Sequence, residues 1–234
     1  MKNKILIFTA TYNEADNIVA LLESIDKLKL NIDTLIIDDN SPDKTWEKIQ
    51  KYSENKKNIK LIVRKAKEGL DTAHKTAYDY SIKNNYDFLI TMDADLSHQP
   101  KEIPNFINAL ETNAFVLGSR YIEGGKCDMK GFRFFLSYLG NKFIKFVFAI
   151  NCNEYTTAYR GFNLKELGDF NLNKVSSKGY SFFMETIFLV HKKGFLIKQI
   201  PIHFAHRTKG KSKIPKIELF RTLLNLFILK FSKK

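Results

Sequence analysis

The chain has 234 residues, 44% of them hydrophobic, and a formal charge of +13. That length supports one domain with a sizeable core, and the composition excludes a disordered chain. So basic a balance points to an anionic partner (nucleic acid, lipid headgroup or phosphorylated substrate) without choosing among them. Cys127 and Cys152 form no CxxC pair and no Cys/His cluster. A zinc site or disulfide framework is therefore not expected, and a reducing cytoplasmic setting fits. The N-terminal apolar run is short and passes directly into polar residues, which reads as no signal peptide. The stretch Leu219 to Phe231 is interrupted by Arg221, Asn225 and Lys230, so no transmembrane helix is expected.

In chain order, strands are predicted at Ile5–Thr9, Thr34–Ile37, Ile59–Val63, Phe88–Met92 and Ala114–Leu117. Helices are predicted between them at Glu14–Lys27, Thr45–Ser53, Thr72–Lys83 and near Ile103–Glu111. Strands alternating with helices imply βαβ units and a largely parallel sheet covered on both faces. The second half differs. An apolar helix is predicted over Phe134–Ile150, a helix near Tyr180–Lys192, a strand near Phe195–Phe204 and a basic loop at HRTKGKSK. Lys216–Phe231 reads as an amphipathic helix with lysines at both ends. It suits a membrane surface, the protein's own core or a membrane subunit.

Open α/β sheets bind ligands at the carboxyl ends of their strands. Three acidic or polar loops sit at such ends: Thr11-Tyr12-Asn13-Glu14, Asp38-Asp39-Asn40-Ser41-Pro42-Asp43 and Asp93-Ala94-Asp95. Their carboxylates are expected to converge on one cleft. In extended chain Asp93 and Asp95 share a face, so both reach one Mg²⁺ or Mn²⁺ whose shell is completed by water and phosphate. A lone Asp-x-Asp is usually a solvated turn; its place after a buried strand, beside a second acidic loop, argues otherwise. Asp39 is a candidate for a base or ribose contact, while Ser41 and Pro42 read as N-cap and first residue of the next helix. Arg120, Arg133, Arg160, Arg207, Lys209, Lys211 and Lys213 cluster late and suit phosphate oxygens, although any one of them also fits a solvated face. His98 reads as structural.

The runs TATYNEADNI, IIDDNSPDKT, GLDTA, MDADLSH, LGSRYIEGG, RFFLS, YTTAYRGF, GYSFFMETIF and HRTKGKSK, in this order over about residues 5–215, resemble the dolichol- or polyprenol-phosphate mannosyltransferases. These are family 2 glycosyltransferases of GT-A fold: a Rossmann-like, mostly parallel α/β sheet flanked by helices. The resemblance implies one domain over residues 1–215 and a C-terminal amphipathic segment over 216–234. It also implies inverting transfer of mannose from GDP-mannose to a polyprenyl phosphate at the cytoplasmic face of a membrane. Asp93 and Asp95 then resemble the metal and diphosphate ligands, with Ser97 at a third metal position. Ala10, Tyr12, Glu14, Ile37, Asp39, Ala94, Arg207 and Lys213 resemble donor contacts. Arg120, Arg133 and Ser137 resemble the acceptor-phosphate site, with Arg120 and Arg133 taking part in catalysis, and the apolar helix lies near the prenyl chain.

Several positions depart from the family pattern. Ala10 stands for a common Pro, Asp71 for Gly, Ser97 for a metal-binding Gln, and Glu154–Arg160 replaces the run Asp-x-Thr-Ser-Gly-Phe-Arg. These leave UDP-glucose or a UDP-hexosamine open as donor. A phosphate acceptor is already anionic and needs no strong base, so positioning and charge carry the reaction. A glycan hydroxyl acceptor instead requires a carboxylate base, for which Asp95, Glu154 or Glu185 are available. A nucleic-acid-binding protein would leave Asp93 and Asp95 unexplained.

Overall fold

The computed structural model describes residues 3–206 and 225–231. The main sheet contains β1 (Ile5–Thr11), β2 (Asp33–Asp38), β3 (Ile59–Val63), β4 (Phe88–Asp93), β5 (Phe115–Ser119), β7 (Arg160–Asn163) and β8 (Ile197–Pro201). Its order is β3-β2-β1-β4-β7-β5-β8, and β6 (Lys126–Cys127) pairs separately with β9 (His203–Phe204). All pairings are parallel except those of β7, which runs antiparallel to both β4 and β5. The helices are α1 (Ile18–Asp26), α2 (Thr45–Ser53), α3 (Leu70–Lys83), α4 (Ile103–Leu110), α5 (Gly131–Phe148), α6 (Leu164–Leu167) and α7 (Tyr180–Lys192).

Period-two alternation splits the core between the sheet's two faces. Leu6 and Phe8 of β1 pack with Ala73 and Ala77 of α3 and Phe182, Phe183 and Ile187 of α7. Ile5 and Ile7 pack with Ile18 and Leu22 of α1 and Phe106 of α4. Each fully buried Leu, Ile or Phe contributes about 1.5–3 kcal/mol. The sheet is thus held from both sides, and its strand ends are left to carry loops.

The predicted helices at 45–53 and 180–192 and the strand at 59–63 are present with those bounds. The helix expected from Glu14 begins at Ile18. The strand expected over Phe195–Phe204 is two short strands in different sheets. Ser41 does not cap α2, whose N-cap is Lys44; the Ser41 hydroxyl instead donates to Asp38 Oδ2 at 2.7 Å. Residues 225–231 are helical; Leu226 is buried in the core cluster that contains Ile144 and Phe148, while Phe227, Ile228 and Phe231 are exposed. The rest of the expected C-terminal helix, and the boundary after residue 215, lie outside the described residues.

The turn after β5 fixes the backbone of Arg120. A Cβ on Gly125 would stand 2.8 Å from the carbonyl oxygens of both Ser119 and Arg120. Those are main-chain atoms and have no rotamer by which to yield. Gly125→Ala is expected to destabilise the protein by about 1–3 kcal/mol, the range for overpacking, as measured by urea unfolding.

Candidate active site

Strand register sets which residues meet on the rim of the sheet. Ala10 of β1 lies opposite Ile37 of β2 on one side and Asp93 of β4 on the other. Beyond that line the loops after β1 and β2 are stitched together. Asp38, fully buried, accepts from the Thr11 hydroxyl at 2.6 Å and from the Ser41 amide at 2.8 Å. Ser41 Oγ accepts from the Asn13 amide, Thr45 Oγ1 from the Glu14 amide and Asp43 from the Ala15 amide. Asp38 and Asp43 therefore hold loop geometry. Among the described residues no three His, Cys, Asp or Glu side chains group so as to hold a metal.

Asp39 is also engaged. Arg64, at the end of β3, donates to Asp39 Oδ1 at 3.1 Å, and the Gly69 amide donates to Oδ2 at 3.1 Å. Arg64 further reaches Thr72 and Thr76 of α3. It was not among the basic residues singled out from sequence; its place immediately after a predicted strand was the available signal. Nearby, Lys67 Nζ lies 4.0 Å from the ring centroid of the half-buried Tyr12, and Glu14 accepts from Asn17 Nδ2.

The acidic pair is built differently from the extended geometry expected. β4 stops at Asp93, the chain bends, and Leu96 takes φ 63°. Asp93 keeps a side-chain exposure of 34%. Asp95 is buried, and its Oδ1 accepts from both the Ser97 amide at 3.0 Å and the Ser97 hydroxyl at 2.5 Å. Ser97, expected at a third metal position, is fully buried and orients Asp95. Ala94 is buried between them. His98 is structural, as read. It is buried against Tyr159 and Phe204, and its Nδ1 accepts from the Asp93 amide at 3.0 Å.

Among the residues expected to receive the acceptor phosphate, Arg120 forms a two-pronged pair with the fully buried Glu154, Nε to Oε2 at 2.6 Å and Nη2 to Oε1 at 2.8 Å. Burial alone would lower the Arg120 pKa; the Glu154 charge and hydrogen bonds outweigh it, and the net shift is upward. The guanidinium lies over the rings of Tyr121 and Phe204. Tyr121 donates its hydroxyl to Ser137 at 2.9 Å, tying Arg120 to α5. Arg133 is exposed in the first turn of that helix. Arg160, by contrast, is 1% exposed and donates to three main-chain carbonyls, those of Thr157, Phe183 and Tyr155. Its burial lowers its pKa to about 9. It is a framework residue, not a phosphate fork. Arg207, Lys209, Lys211 and Lys213 lie outside the described residues.

The two aspartates should differ in their effect on stability. Asp93→Ala is expected to change it by no more than about 0.5 kcal/mol. Asp95→Ala leaves the buried Ser97 amide and hydroxyl without their acceptor and should cost about 1–3 kcal/mol. Parallel urea titrations check the contrast; equal costs would refute this division of roles.

The model for glycosyl transferase family 2 matches residues 6–168. The undecaprenyl-phosphate mannosyltransferase of Micrococcus luteus is 30% identical over 212 residues, covering 90% of this chain and 87% of that protein. The polyprenol monophosphomannose synthase of Mycolicibacterium smegmatis is 29% identical, covering 89% and 80%. Among solved structures, glucosyl-3-phosphoglycerate synthase from Mycobacterium tuberculosis, crystallised with Mn²⁺, UDP and glucosyl-3-phosphoglycerate, superposes with a TM-score of 0.70. It is 16% identical, with 97% of this chain and 80% of that one covered, a likeness of fold. With the family model spanning more than half of the chain, and the parallel sheet carrying its acidic loops on one rim, the protein is a glycosyltransferase of family 2.

Proposed function

We propose that this enzyme transfers mannose from GDP-mannose to a polyprenyl phosphate, with inversion, at a membrane surface. The observation that carries the reading is the Arg120–Glu154 pair. Of the three carboxylates considered as a base, Glu154 is locked on a guanidinium, Asp95 accepts from the Ser97 amide and hydroxyl, and Glu185 accepts from the amides of Ser176 and Ser177. The acceptor side therefore offers a fixed cation in place of a general base, which suits a nucleophile that arrives anionic. Two relatives of near 30% identity, each covered over at least 80% of its length, are named for polyprenyl-phosphate mannosyl transfer.

Asp93 and Asp95 supply hard oxygen donors of the type that holds Mg²⁺ or Mn²⁺ through one or two carboxylates, with substrate phosphate completing the shell. A cation bound there would offset the charge of the departing nucleoside diphosphate. Asp93, at the strand end, faces the ligand; Ser97 keeps Asp95 oriented toward it. Tyr12, Glu14, Asp39 and Arg64 border the donor's nucleotide, and Ala10, between Ile37 and Asp93, leaves room for it beside the rim. Arg120, Arg133 and Ser137 receive the acceptor phosphate, whose oxygen attacks the anomeric carbon in line.

The membrane part of the reading rests on α5. Phe132, Phe135, Leu136, Leu139 and Phe146 are exposed along it, and Phe143 meets Phe227 of the helical segment 225–231, where Ile228 and Phe231 are also exposed. Lys130, Lys142 and Lys230 are exposed on the same two segments. Apolar side chains with basic neighbours suit an anionic lipid surface. No helix among the described residues is long and apolar enough to cross a membrane.

The decisive assay is transfer of radiolabelled sugar from GDP-mannose, UDP-glucose or a UDP-hexosamine to a polyprenyl phosphate, with and without EDTA. GDP-mannose should be the productive donor and EDTA should abolish transfer. Arg133→Ala should raise the acceptor KM by about tenfold, near 1.4 kcal/mol of lost phosphate contact, and leave the donor KM within twofold. Transfer only from a UDP-sugar, or only to a glycan hydroxyl, would overturn the reading. For the surface, Phe132→Ser with Phe146→Ser should cut co-sedimentation with anionic liposomes by about tenfold or more while leaving the fold intact, because both rings are exposed. Unchanged sedimentation would remove α5 from the membrane contact.

A further inference from the structure

One short loop reaches both Arg120 and the end of β4. Residues 149–159 connect α5 to β7, and within them Glu154 and Thr157 face different partners. Glu154 carries Arg120, as above, and Thr156 braces that pair. Its hydroxyl donates to Glu154 Oε1 at 3.0 Å and accepts from Arg120 Nη2 at 3.3 Å. Thr157 Oγ1 lies 3.2 Å from His98 Nε2. Because His98 Nδ1 accepts from the Asp93 amide, the neutral ring carries its proton on Nε2 and donates it to Thr157. The same Nδ1 is 3.5 Å from Asp93 Oδ2. A chain of contacts therefore runs from Thr157 through His98 to the end of β4.

The loop itself is pinned at its centre. Arg160 binds the carbonyls of Tyr155 and Thr157 with Nη2 and Nε, while Nη1 ties them to Phe183 of α7. Thr91 of β4 donates to the Ala158 carbonyl at 2.5 Å, and the Tyr155 amide donates to Asn141 of α5 at 2.6 Å. Every residue from 154 to 159 is held by at least one hydrogen bond to another element or to the loop's own neighbours. The loop is thus tied to α5, α7 and β4 together.

We propose that residues 154–160 are a single positioning segment that sets Arg120 with one end and Asp93 with the other. Acceptor phosphate and donor diphosphate are thereby held at a fixed separation for in-line attack. Glu154, Thr157 and Arg160 are positioning residues; none is assigned a contact with substrate. The inference rests on the acceptor and metal roles proposed above. It adds that those roles are mechanically linked, and that two neighbouring loop positions control different ligands.

The test measures binding rather than turnover. Farnesyl phosphate and Mn²⁺ with GDP are titrated calorimetrically into the full chain and its variants, with thermal melts confirming the fold. Glu154→Gln should weaken farnesyl phosphate by about tenfold and leave Mn²⁺–GDP within twofold. Thr157→Val, nearly the same shape without the hydroxyl, should weaken Mn²⁺–GDP by about three- to tenfold and leave farnesyl phosphate within twofold. Arg160→Lys, which keeps charge and loses the fork, should weaken both. If Glu154→Gln does not fold, Thr156→Val takes its place, with a smaller loss confined to farnesyl phosphate. Equal weakening of both ligands by Glu154→Gln and Thr157→Val, or no weakening by either, overturns the proposal. A wild-type protein that binds Mn²⁺–GDP but no farnesyl phosphate would sink the acceptor reading instead. The Thr157→Val arm then decides alone, and unchanged Mn²⁺–GDP affinity there refutes the segment's role.

Discussion

The pairing of β1 between β2 and β4 is the constraint from which the arrangement of the rim follows. Parallel strands fed by helices on both faces end on one rim, and register decides which residues meet there. Ala10 is flanked by Ile37 and Asp93 because Leu6 is paired with Asp33 and Leu89, four residues earlier. That alignment is enforced by burial. A one-residue slip would exchange Leu6 and Phe8 for Ile5 and Ile7 across the sheet and misplace both core faces. The site is therefore fixed by apolar residues that never touch a ligand.

Charge in this protein is divided between holding and acting, and burial marks the division. Asp38, Glu154 and Glu185 are buried, and each accepts hydrogen bonds from main-chain amides or a guanidinium. Removing one partner of such a pair costs on the order of 3–5 kcal/mol, because the other charge is left in low dielectric. Exposed pairs such as Lys44–Glu47 are worth far less. Arg160 is the extreme case: a guanidinium buried without a carboxylate partner among the described residues, solvated by carbonyl dipoles and the faces of Phe183 and Phe115. Burial also lowers the His74 pKa to about 3, with the Arg160 charge adding to the effect, so this ring is neutral beside it. The cost of burying Arg160 is offset by the hold it gives on the Tyr155 and Thr157 carbonyls.

Much of the fold could be read in the sequence because its signals were local. The helix over 45–53 and the strand over 59–63 have clear polar boundaries, and the latter is a short β-branched run. β7 was missed for a physical reason. Its residues RGFN combine a charge with a glycine, and only tertiary context makes Arg160 a core residue. Gly161 is there because a Cβ would come within 2.9 Å of Leu110 of α4. Ser41 misled in the opposite direction: the hydroxyl next to a proline looks like a cap, but Asp38 claims it first. The shared face of Asp93 and Asp95 assumed extended backbone, and the bend ending at Leu96 removed that premise. The acidic motif was legible, as was the structural role of His98; the Thr157 hydroxyl against that ring was not, since it depends on a contact between distant segments.

The exposed aromatic side of α5 completes the physical picture. Of its 18 residues only Asn141, Ile144 and Phe148 are buried, so the helix owes little of its stability to the core. Asn141 spends its side chain on the Ser137 carbonyl and the Tyr155 amide, holding the helix to the loop before β7. Such a helix leaves about 1.5–3 kcal/mol of hydrophobic gain per exposed phenylalanine unrealised in water. Contact with hydrocarbon would recover it. Because Tyr121 joins Ser137 of this helix to the ring beneath Arg120, that contact would also bear on the residues proposed to receive the phosphate. The apolar surface and Arg120 are thus joined through a single helix, so that, on the acceptor role proposed for Arg120, a change at one would be felt at the other.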